Sequence, residues 1–194
     1  MKYSINKIYL SLFFSCLLIS CENSDTNSNN NSNGFNPKIT ITNKLFSFGP
    51  TLDSVNARVS AECDCCGSDF FFSEDKSFII VSYCVQGDTY SKGTYEIKNK
   101  VILLNFTSPQ VTKLYDLSEA TDTTNKSESK SQYEISKASV TQLKIGMSFF
   151  KSKLLLTISE KDENEYGMEN KETTPKAFLS NIKSDSIWYK MGLQ

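Results

Sequence analysis

Residues 70–106, FFFSEDKSFIIVSYCVQGDTYSKGTYEIKNKVILLNF, carry the clearest structural pattern in this sequence. Short apolar runs rich in β-branched and aromatic residues alternate there with short polar turns, which predicts two antiparallel β-hairpins. The strands of the first hairpin are Phe70–Phe72 and Ser77–Cys84, and those of the second are Gly93–Ile97 and Val101–Phe106.

The same pattern continues on both sides of these hairpins. Further strands are predicted at Lys38–Leu45, Tyr133–Val140, Leu143–Phe150 and Leu154–Ser159, and Ile187–Tyr189 is predicted to close the sheet. We expect the strands of residues 133–140 and 143–150 to pair with each other. Short helical turns are predicted at Thr51–Val59 and Phe178–Ile182, and polar loops at Asp116–Gln132 and Glu160–Thr174. Many short strands with polar turns predict a mainly β fold with little helix, an antiparallel β-barrel or β-sandwich.

The order of motifs in residues 70–106 resembles a known family. A strand ending in a turn is followed by Gly93-x-Tyr95-x-Ile97, a short turn, and Val101-Ile102-x-Leu104. This order is similar to repeats in calycin, or lipocalin-like, bacterial lipoproteins, over about 40 residues. The resemblance implies a lipocalin-like barrel, but it transfers no ligand-binding residue to this chain.

The first 20 residues are typical of a secretory signal peptide. Lys2 and Lys7 give a positive start, and an apolar stretch follows over Ile8–Ile19. This stretch has about a dozen residues, whereas a membrane-spanning helix needs roughly 20. We therefore predict that residues 1–20 are removed, and Cys16 with them.

The sequence Leu18-Ile19-Ser20-Cys21 resembles the lipobox of bacterial lipoproteins. The resemblance implies cleavage before Cys21 and acyl chains, palmitate among them, on that cysteine. Two or three chains give firm membrane anchoring, because each buried methylene contributes about 0.8 kcal/mol. Glu22 and Asp25 follow, and are similar to the acidic residues of surface-exported lipoproteins of the Bacteroidota. These features predict a lipid-anchored protein of the bacterial cell envelope, in the outer membrane, on its periplasmic or its surface face.

Residues 21–36 are predicted to be the acylated cysteine and a flexible tether. From Glu22 to Asn36 the chain is rich in Asn and Ser and has no aliphatic residue, so it cannot bury enough apolar surface to fold. Residues 37–194 are predicted to form a single β-rich domain, interrupted by the polar loop at 116–132.

Composition excludes several classes of function. There is no histidine, which removes the common histidine-dependent catalytic triads and the histidine-rich metal sites. Without Lys2 and Lys7, 19 basic and 22 acidic side chains remain, a net charge of −3 that argues against nucleic acid as a partner. We predict a protein that is not an enzyme and has no cofactor.

Four cysteines remain after Cys16 and Cys21: Cys63, Cys65, Cys66 and Cys84. An even number in an exported protein favours structural disulfides, with one of the first three bonded to Cys84. Two alternatives stay open. The four thiolates have the chemistry of a zinc or copper(I) site, and Cys63-x-x-Cys66 has the spacing of thiol-redox proteins.

Two functional hypotheses follow. The first is an envelope lipoprotein whose β-domain binds a small apolar ligand or an envelope protein partner. The aromatic residues Phe70, Phe71, Phe72, Phe78, Tyr83, Phe149 and Phe150 then either line a ligand cavity or form an ordinary core. The second is a cysteine-dependent metal-binding or thiol-redox envelope protein.

Overall fold

A computed structural model describes residues 40–60, 67–115, 132–160, 163–184 and 186–193. The described strands are β1 (Lys44–Gly49), β2 (Thr51–Asp53), β3 (Arg58–Ser60), β4 (Gly67–Phe72), β5 (Ser77–Tyr83), β6 (Gly87–Lys98), β7 (Val101–Leu114), β8 (Gln132–Ser136), β9 (Gln142–Phe150), β10 (Lys153–Glu160) and β11 (Glu163–Glu169). Two helices follow them, α1 (Pro175–Ser184) and α2 (Ile187–Lys190). No helix among these residues is long and apolar enough to cross a membrane.

Eight of the strands form a closed antiparallel barrel, in the order β1, β4, β5, β6, β7, β9, β10, β11. The ring closes where β11 pairs with β1, and β6 also pairs with β7. Apart from the inserted β2–β3 hairpin and β8, each strand pairs with the next one along the chain, which is the up-and-down arrangement of lipocalin-type barrels. The barrel, and not the sandwich, is therefore the observed form of the predicted mainly β fold.

Tight turns form one end of the barrel, which we call the hairpin end. The β6–β7 turn at Asn99–Lys100 and the β9–β10 turn at Lys151–Ser152 each have two consecutive residues with positive φ. This backbone conformation matches the twist of the paired strands. At the opposite end, the loop end, β1, β5 and β10 finish and β4, β6, β9 and β11 begin.

Apolar side chains fill the barrel near the hairpin end. Phe72 and Tyr95 pack edge to face with ring centroids 5.2 Å apart, and Phe46 packs against Phe72 in the same way at 5.9 Å. Aliphatic residues of β7, β9 and β10 complete this inner cluster: Ile102, Leu104, Ile145 and Leu156, all buried.

The two helices pack against the outside of the barrel. Thr174 caps α1, because its hydroxyl accepts a hydrogen bond from the Ala177 amide at 3.1 Å, and Pro175 suits the first helical position. Phe178 lies against Phe71 of β4 with ring centroids 6.4 Å apart. The outer cluster under the helices buries Leu45, Ile79, Val81, Ile182, Ile187 and Met191.

The structure confirms several predicted elements. Both hairpins of residues 70–106 are present, with β6 and β7 longer than expected. The strand predicted at Leu154–Ser159 is present as β10, and the turn predicted at Phe178–Ile182 belongs to α1.

Three strand predictions were wrong. The first strand begins at Lys44, not Lys38, because the chain turns at Thr42–Asn43, where Asn43 has a positive φ. β8 pairs with the second half of β7 instead of β9. Ile187–Tyr189 lies in α2, where Ile187 and Met191 bury their side chains at helical spacing.

Two further predictions were wrong. Residues 51–59 form the β2–β3 hairpin and not a helical turn, because the Asp53 carboxylate accepts the amides of Val55 and Asn56 and sets a local turn. The acidic stretch predicted as a loop at Glu160–Thr174 contains β11, the strand that closes the barrel. Of the loop predicted at residues 116–132, only Gln132 is described, and it begins β8.

Candidate functional site

A cavity of about 330 Å³ lies inside the barrel at the loop end. Seven of the eight strands of the barrel contribute residues to the cavity lining, and so does the segment between β8 and β9. The lining residues are Ser68, Phe70, Ile80, Ser82, Ser91, Phe106, Gln110, Ala138, Ser139, Val140, Leu143, Ile158, Glu163 and Glu165.

The cavity exists because small side chains point inward at this end. Along β4, the inward residues are Phe72 near the hairpin end, then Phe70, then Ser68 at the loop end. Along β5 the order is Phe78, Ile80 and Ser82. In both strands the inward residue is phenylalanine near the hairpin end and serine at the loop end. The small serine side chains leave open at the loop end the space that aromatic rings fill near the hairpin end.

Apolar side chains form the floor of the cavity. Phe70 stacks on Phe48 with ring centroids 4.2 Å apart, and Phe106 packs edge to face on Phe78 at 5.1 Å. Because Phe48, Phe70 and Phe78 belong to the buried inner cluster and Phe106 packs against it, the floor is continuous with the core. Of the predicted cavity-lining aromatics, Phe70 alone lines the cavity, while Phe72 and Phe78 belong to the core beneath it.

A β-bulge shapes one wall. Tyr90 of β6 faces Val111 of β7, and Lys92 faces Thr107, so Ser91 is opposite residues 108–110. Bulges of this kind re-aim side chains and are frequent beside binding sites. Gln110 lines the cavity across from Ser91, on the same face of β7 as Phe106.

Ser91 differs from the other polar residues of the lining. Only 8% of its surface is exposed, and it is the single polar side chain that is buried among the described residues. No buried side-chain nitrogen or oxygen atom among the described residues lacks a hydrogen-bond partner. The hydroxyls of Ser68 and Ser82 bond to each other at 3.1 Å. Ser91 therefore adds a third serine to the polar wall of the cavity.

The segment Ala138–Val140 borders the mouth of the cavity. The Ala138 amide donates to Ser108 Oγ at 3.1 Å, and the Ser139 amide donates to Gln110 Oε1 at 3.3 Å. Both acceptors belong to the bulge of β7, so the bulge positions this segment as well as the wall. Ser139 and Val140 are exposed, which leaves the mouth accessible to solvent.

The charge of the lining is negative. Glu163 and Glu165 of β11 lie at alternate positions of the strand and both line the cavity, near its exposed rim. No lysine or arginine is among the described residues that line it. The site thus combines an apolar floor, hydroxyl and amide groups on the walls, and two carboxylates.

A second polar cluster lies on the outer surface beside the loop end. Asp69 accepts hydrogen bonds from the hydroxyls of Ser47 at 2.6 Å and Tyr83 at 2.8 Å, and Asn170 donates to Ser47 at 2.9 Å. Partial burial of the phenol, and then the charge of Asp69, raise the pKa of Tyr83 well above its ordinary value. These groups satisfy one another, so the cluster ties β1, β4 and β5 together and offers no ligand site.

A solved structure resembles this barrel. It is a streptavidin-like protein from Bacteroides eggerthii DSM 20697, with a TM-score of 0.45 and 11% sequence identity, covering 73% of this chain and 95% of that one. No protein-family model matches the chain, and no curated protein matches its sequence. At this level of similarity, the comparison identifies no ligand-binding residue here.

The residues singled out from the sequence lie mostly elsewhere. Cys21, Cys63, Cys65 and Cys66 are outside the described residues. Cys84 is exposed and directly follows β5 at the loop end. Among the residues that the structure describes, no group of three or more His, Cys, Asp or Glu side chains is placed to hold a metal ion.

Sequence reasoning missed most of the cavity lining. Glu163 and Glu165 were assigned to a loop, and the serines carried no motif. One usable signal was the change along β4 and β5, where the inward positions pass from phenylalanine to serine towards one end. Ser91 and Gln110 lie on the same strand faces as Tyr95 and Phe106, but a polar side chain at such a position does not by itself indicate a cavity.

Proposed function

We propose that this protein is a lipid-anchored envelope protein whose barrel binds a small, largely apolar ligand in the loop-end cavity. Ligand sites in β-barrels are concave and mostly apolar, with a few convergent polar groups, and have volumes of roughly 300–1,000 Å³. The cavity of about 330 Å³ suits a ligand at the small end of this range.

The single observation that supports ligand binding best is the cavity inside the barrel, where serine hydroxyls and the Gln110 amide surround an apolar floor. A bound molecule with one polar atom would hydrogen-bond to the polar wall while its body covers Phe70 and Phe106. The lipid anchor is supported by the lipobox-like sequence that ends at Cys21.

Ligand-observed NMR with three matched probes tests the binding proposal. The probes are 2-phenylethanol, which is neutral, 2-phenylethylamine, which is a cation, and phenylacetate, which is an anion. We expect at least one to bind the wild-type protein at millimolar concentration, and Ser91→Leu to abolish that binding by filling the cavity. Ser148→Leu, at an exposed position of β9, is the matched control and should bind normally.

Two outcomes would overturn the proposal. One is that none of the three probes binds the wild-type protein. The other is that Ser91→Leu binds as tightly as the wild type while unfolding cooperatively at a similar temperature. Ser68→Leu, at a second inward position of the cavity wall, repeats the test if Ser91→Leu does not fold.

A further inference from the structure

We infer that the outer face around α2 is a docking surface for an anionic lipid bilayer. This inference rests on the lipid anchor of the proposed function, which would hold the barrel close to a membrane, and it adds the side of the barrel that meets the lipid. It combines exposed apolar side chains, aromatic rings paired with lysines, and a local excess of positive charge.

Exposed apolar side chains lie together on this face. Tyr189 of α2 is 76% exposed, and Ile135 of β8 is 60% exposed. Ile135 faces Val111 of β7, which is buried in the outer cluster under the helices, so Ile135 points outward. Tyr133 lies on the same side of β8, and the amine of Lys190 is 4.8 Å from the centre of its ring. The exposed groups of α2 and β8 therefore form one surface, which we call the α2 patch.

Lysine amines lie over the aromatic rings of the α2 patch. Lys183 lies 4.5 Å from the centre of the Trp188 ring, just as Lys190 lies over Tyr133. Tryptophan, tyrosine and lysine are the residues that proteins place where a membrane meets water, because the rings are amphipathic and the long lysine stems reach the headgroups. The composition of the α2 patch is that of a membrane interface.

The α2 patch carries an excess of positive charge. The two helices contain three lysines and no acidic residue: Lys176, Lys183 and Lys190. Lys92 of β6 reaches the same side, because its amine lies 3.8 Å from the position of a β-carbon on Gly192. Asp88 on this side of β6 faces Lys113, and Asp185 lies between the helices in sequence, so these acids offset only part of the charge. An anionic lipid surface complements such a patch.

The α2 patch lies beside the loop end of the barrel. β8 pairs with the second half of β7, and the segment Ala138–Val140 after β8 borders the mouth of the cavity. Docking through the patch would therefore bring the mouth next to the lipid surface. A largely apolar ligand would then have a short path between the bilayer and the cavity.

Fluorescence of Trp188 tests this inference, because it is the single tryptophan of the chain and lies in the patch. The mature protein is added to vesicles of phosphatidylcholine, with or without phosphatidylglycerol, that contain a brominated lipid as a contact quencher. We expect Trp188 to be quenched in the anionic vesicles only, and added salt to reverse the quenching. Lys183→Gln/Lys190→Gln should lower the ratio of docked to undocked patch by about thirtyfold.

A charge-matched control separates a local effect from a change in overall charge. Lys98→Gln/Lys100→Gln removes two exposed lysines at the β6–β7 turn of the hairpin end, and it should keep the quenching. Equal quenching in both kinds of vesicle would overturn the inference. Unquenched Trp188 in anionic vesicles would also overturn it and would leave an acidic protein as the partner of the patch.

The other parts of the proposed function are measured separately. Sedimentation of the protein with neutral vesicles reports the anchor, and titration of the three probes without vesicles reports the cavity. Quenching that is absent from anionic vesicles while the protein sediments with neutral ones would overturn the α2 patch alone.

Discussion

Gly93 and Gly167 occupy positions inside the barrel where a side chain has no room. A methyl group on Gly93 would overlap the carbonyl oxygen of Asn105 and lie 2.8 Å from the ring of Phe78. A methyl group on Gly167 would overlap the ring of Phe48. Each glycine therefore lets an aromatic ring lie flat on the backbone of the facing strand.

Gly93→Ala should destabilise the barrel by about 1–3 kcal/mol, because a well-packed core accommodates an added methyl group only by shifting the backbone. Gly146→Ala is the matched control: its methyl group would make only an ordinary contact, 3.7 Å from Thr157 O. Chemical denaturation of both variants measures the difference. Equal free energies of unfolding would show that the strands move apart easily at Gly93.

Asp75 makes the stability of the β4–β5 turn dependent on pH. Its carboxylate accepts hydrogen bonds from the Ser77 hydroxyl at 2.6 Å and from the Ser77 amide at 2.9 Å. These bonds favour the charged form and hold the pKa of Asp75 below its ordinary value. The stabilisation is therefore fully present above the ordinary pKa and is lost as the pH falls through the lowered one.

Asp75→Ala should accordingly lower the free energy of unfolding at neutral pH, and the difference from wild type should shrink as the solution is acidified towards pH 2. Denaturation curves at several pH values measure this difference. Glu74→Gln, in the same turn, removes a charge without touching the Ser77 bonds and serves as the control. A difference that stays constant with pH would contradict the assignment to the charged carboxylate.

At the scale of elements, prediction succeeded where apolar strands are joined by short polar turns. The two hairpins of residues 70–106 meet this condition, and both were confirmed. It failed for the start of β1, because a turn at Thr42–Asn43 separates that strand from the alternating residues before it. The prediction also failed for β11. The inward positions of this strand are Glu163 and Glu165 instead of apolar residues, so its sequence has the polar composition of a loop.

The candidate site was less predictable than the fold for the same reason. A cavity inside a barrel is made by residues from many strands, each contributing one or two side chains. Which strands face one another across the barrel depends on contacts between distant segments, which a single sequence does not display.

The pairing of β4 with β5 sharpens the disulfide prediction. Gly67 follows Cys66 in sequence and faces Tyr83, which precedes Cys84. Residues that lie directly opposite each other in an antiparallel pair have Cα separations that suit a disulfide. We therefore expect Cys66 to be the partner of Cys84.

Peptide mapping without reductant should find a Cys66–Cys84 link, and Cys66→Ala should lower stability by about 2–4 kcal/mol. Cys63→Ala is the control and should keep that link. Four thiols that react before reduction, together with bound zinc or copper by elemental analysis, would contradict the disulfide and support the metal-binding alternative.

At the scale of the whole molecule, we expect the proposed lipid anchor and the barrel to have separable roles. The predicted tether of residues 22–36, as a flexible coil, would span roughly 20–25 Å. Ligand binding in the cavity should therefore persist when the proposed anchor is removed.

Cys21→Ala should abolish labelling by a palmitate analogue and move the protein from the membrane to the soluble fraction, because the proposed acyl chains would be the only lipid attachment that the sequence predicts. Cys16→Ala is the matched control and should keep the label, since that cysteine is expected to leave with the signal peptide. Labelling that survives in Cys21→Ala would overturn the anchor.

The pairing of β11 with β1 has a consequence for how the protein folds. Lys44 and Glu169, which form an ion pair across this seam, are 125 residues apart in sequence. Contacts between such distant segments slow folding, because a long loop must close before they form. Until then Phe46 and Phe48 of β1 are not covered by β11. The newly made chain therefore exposes apolar strand surface for a time, and such surface promotes aggregation. The seam that completes the barrel is thus also the step at which aggregation competes with folding.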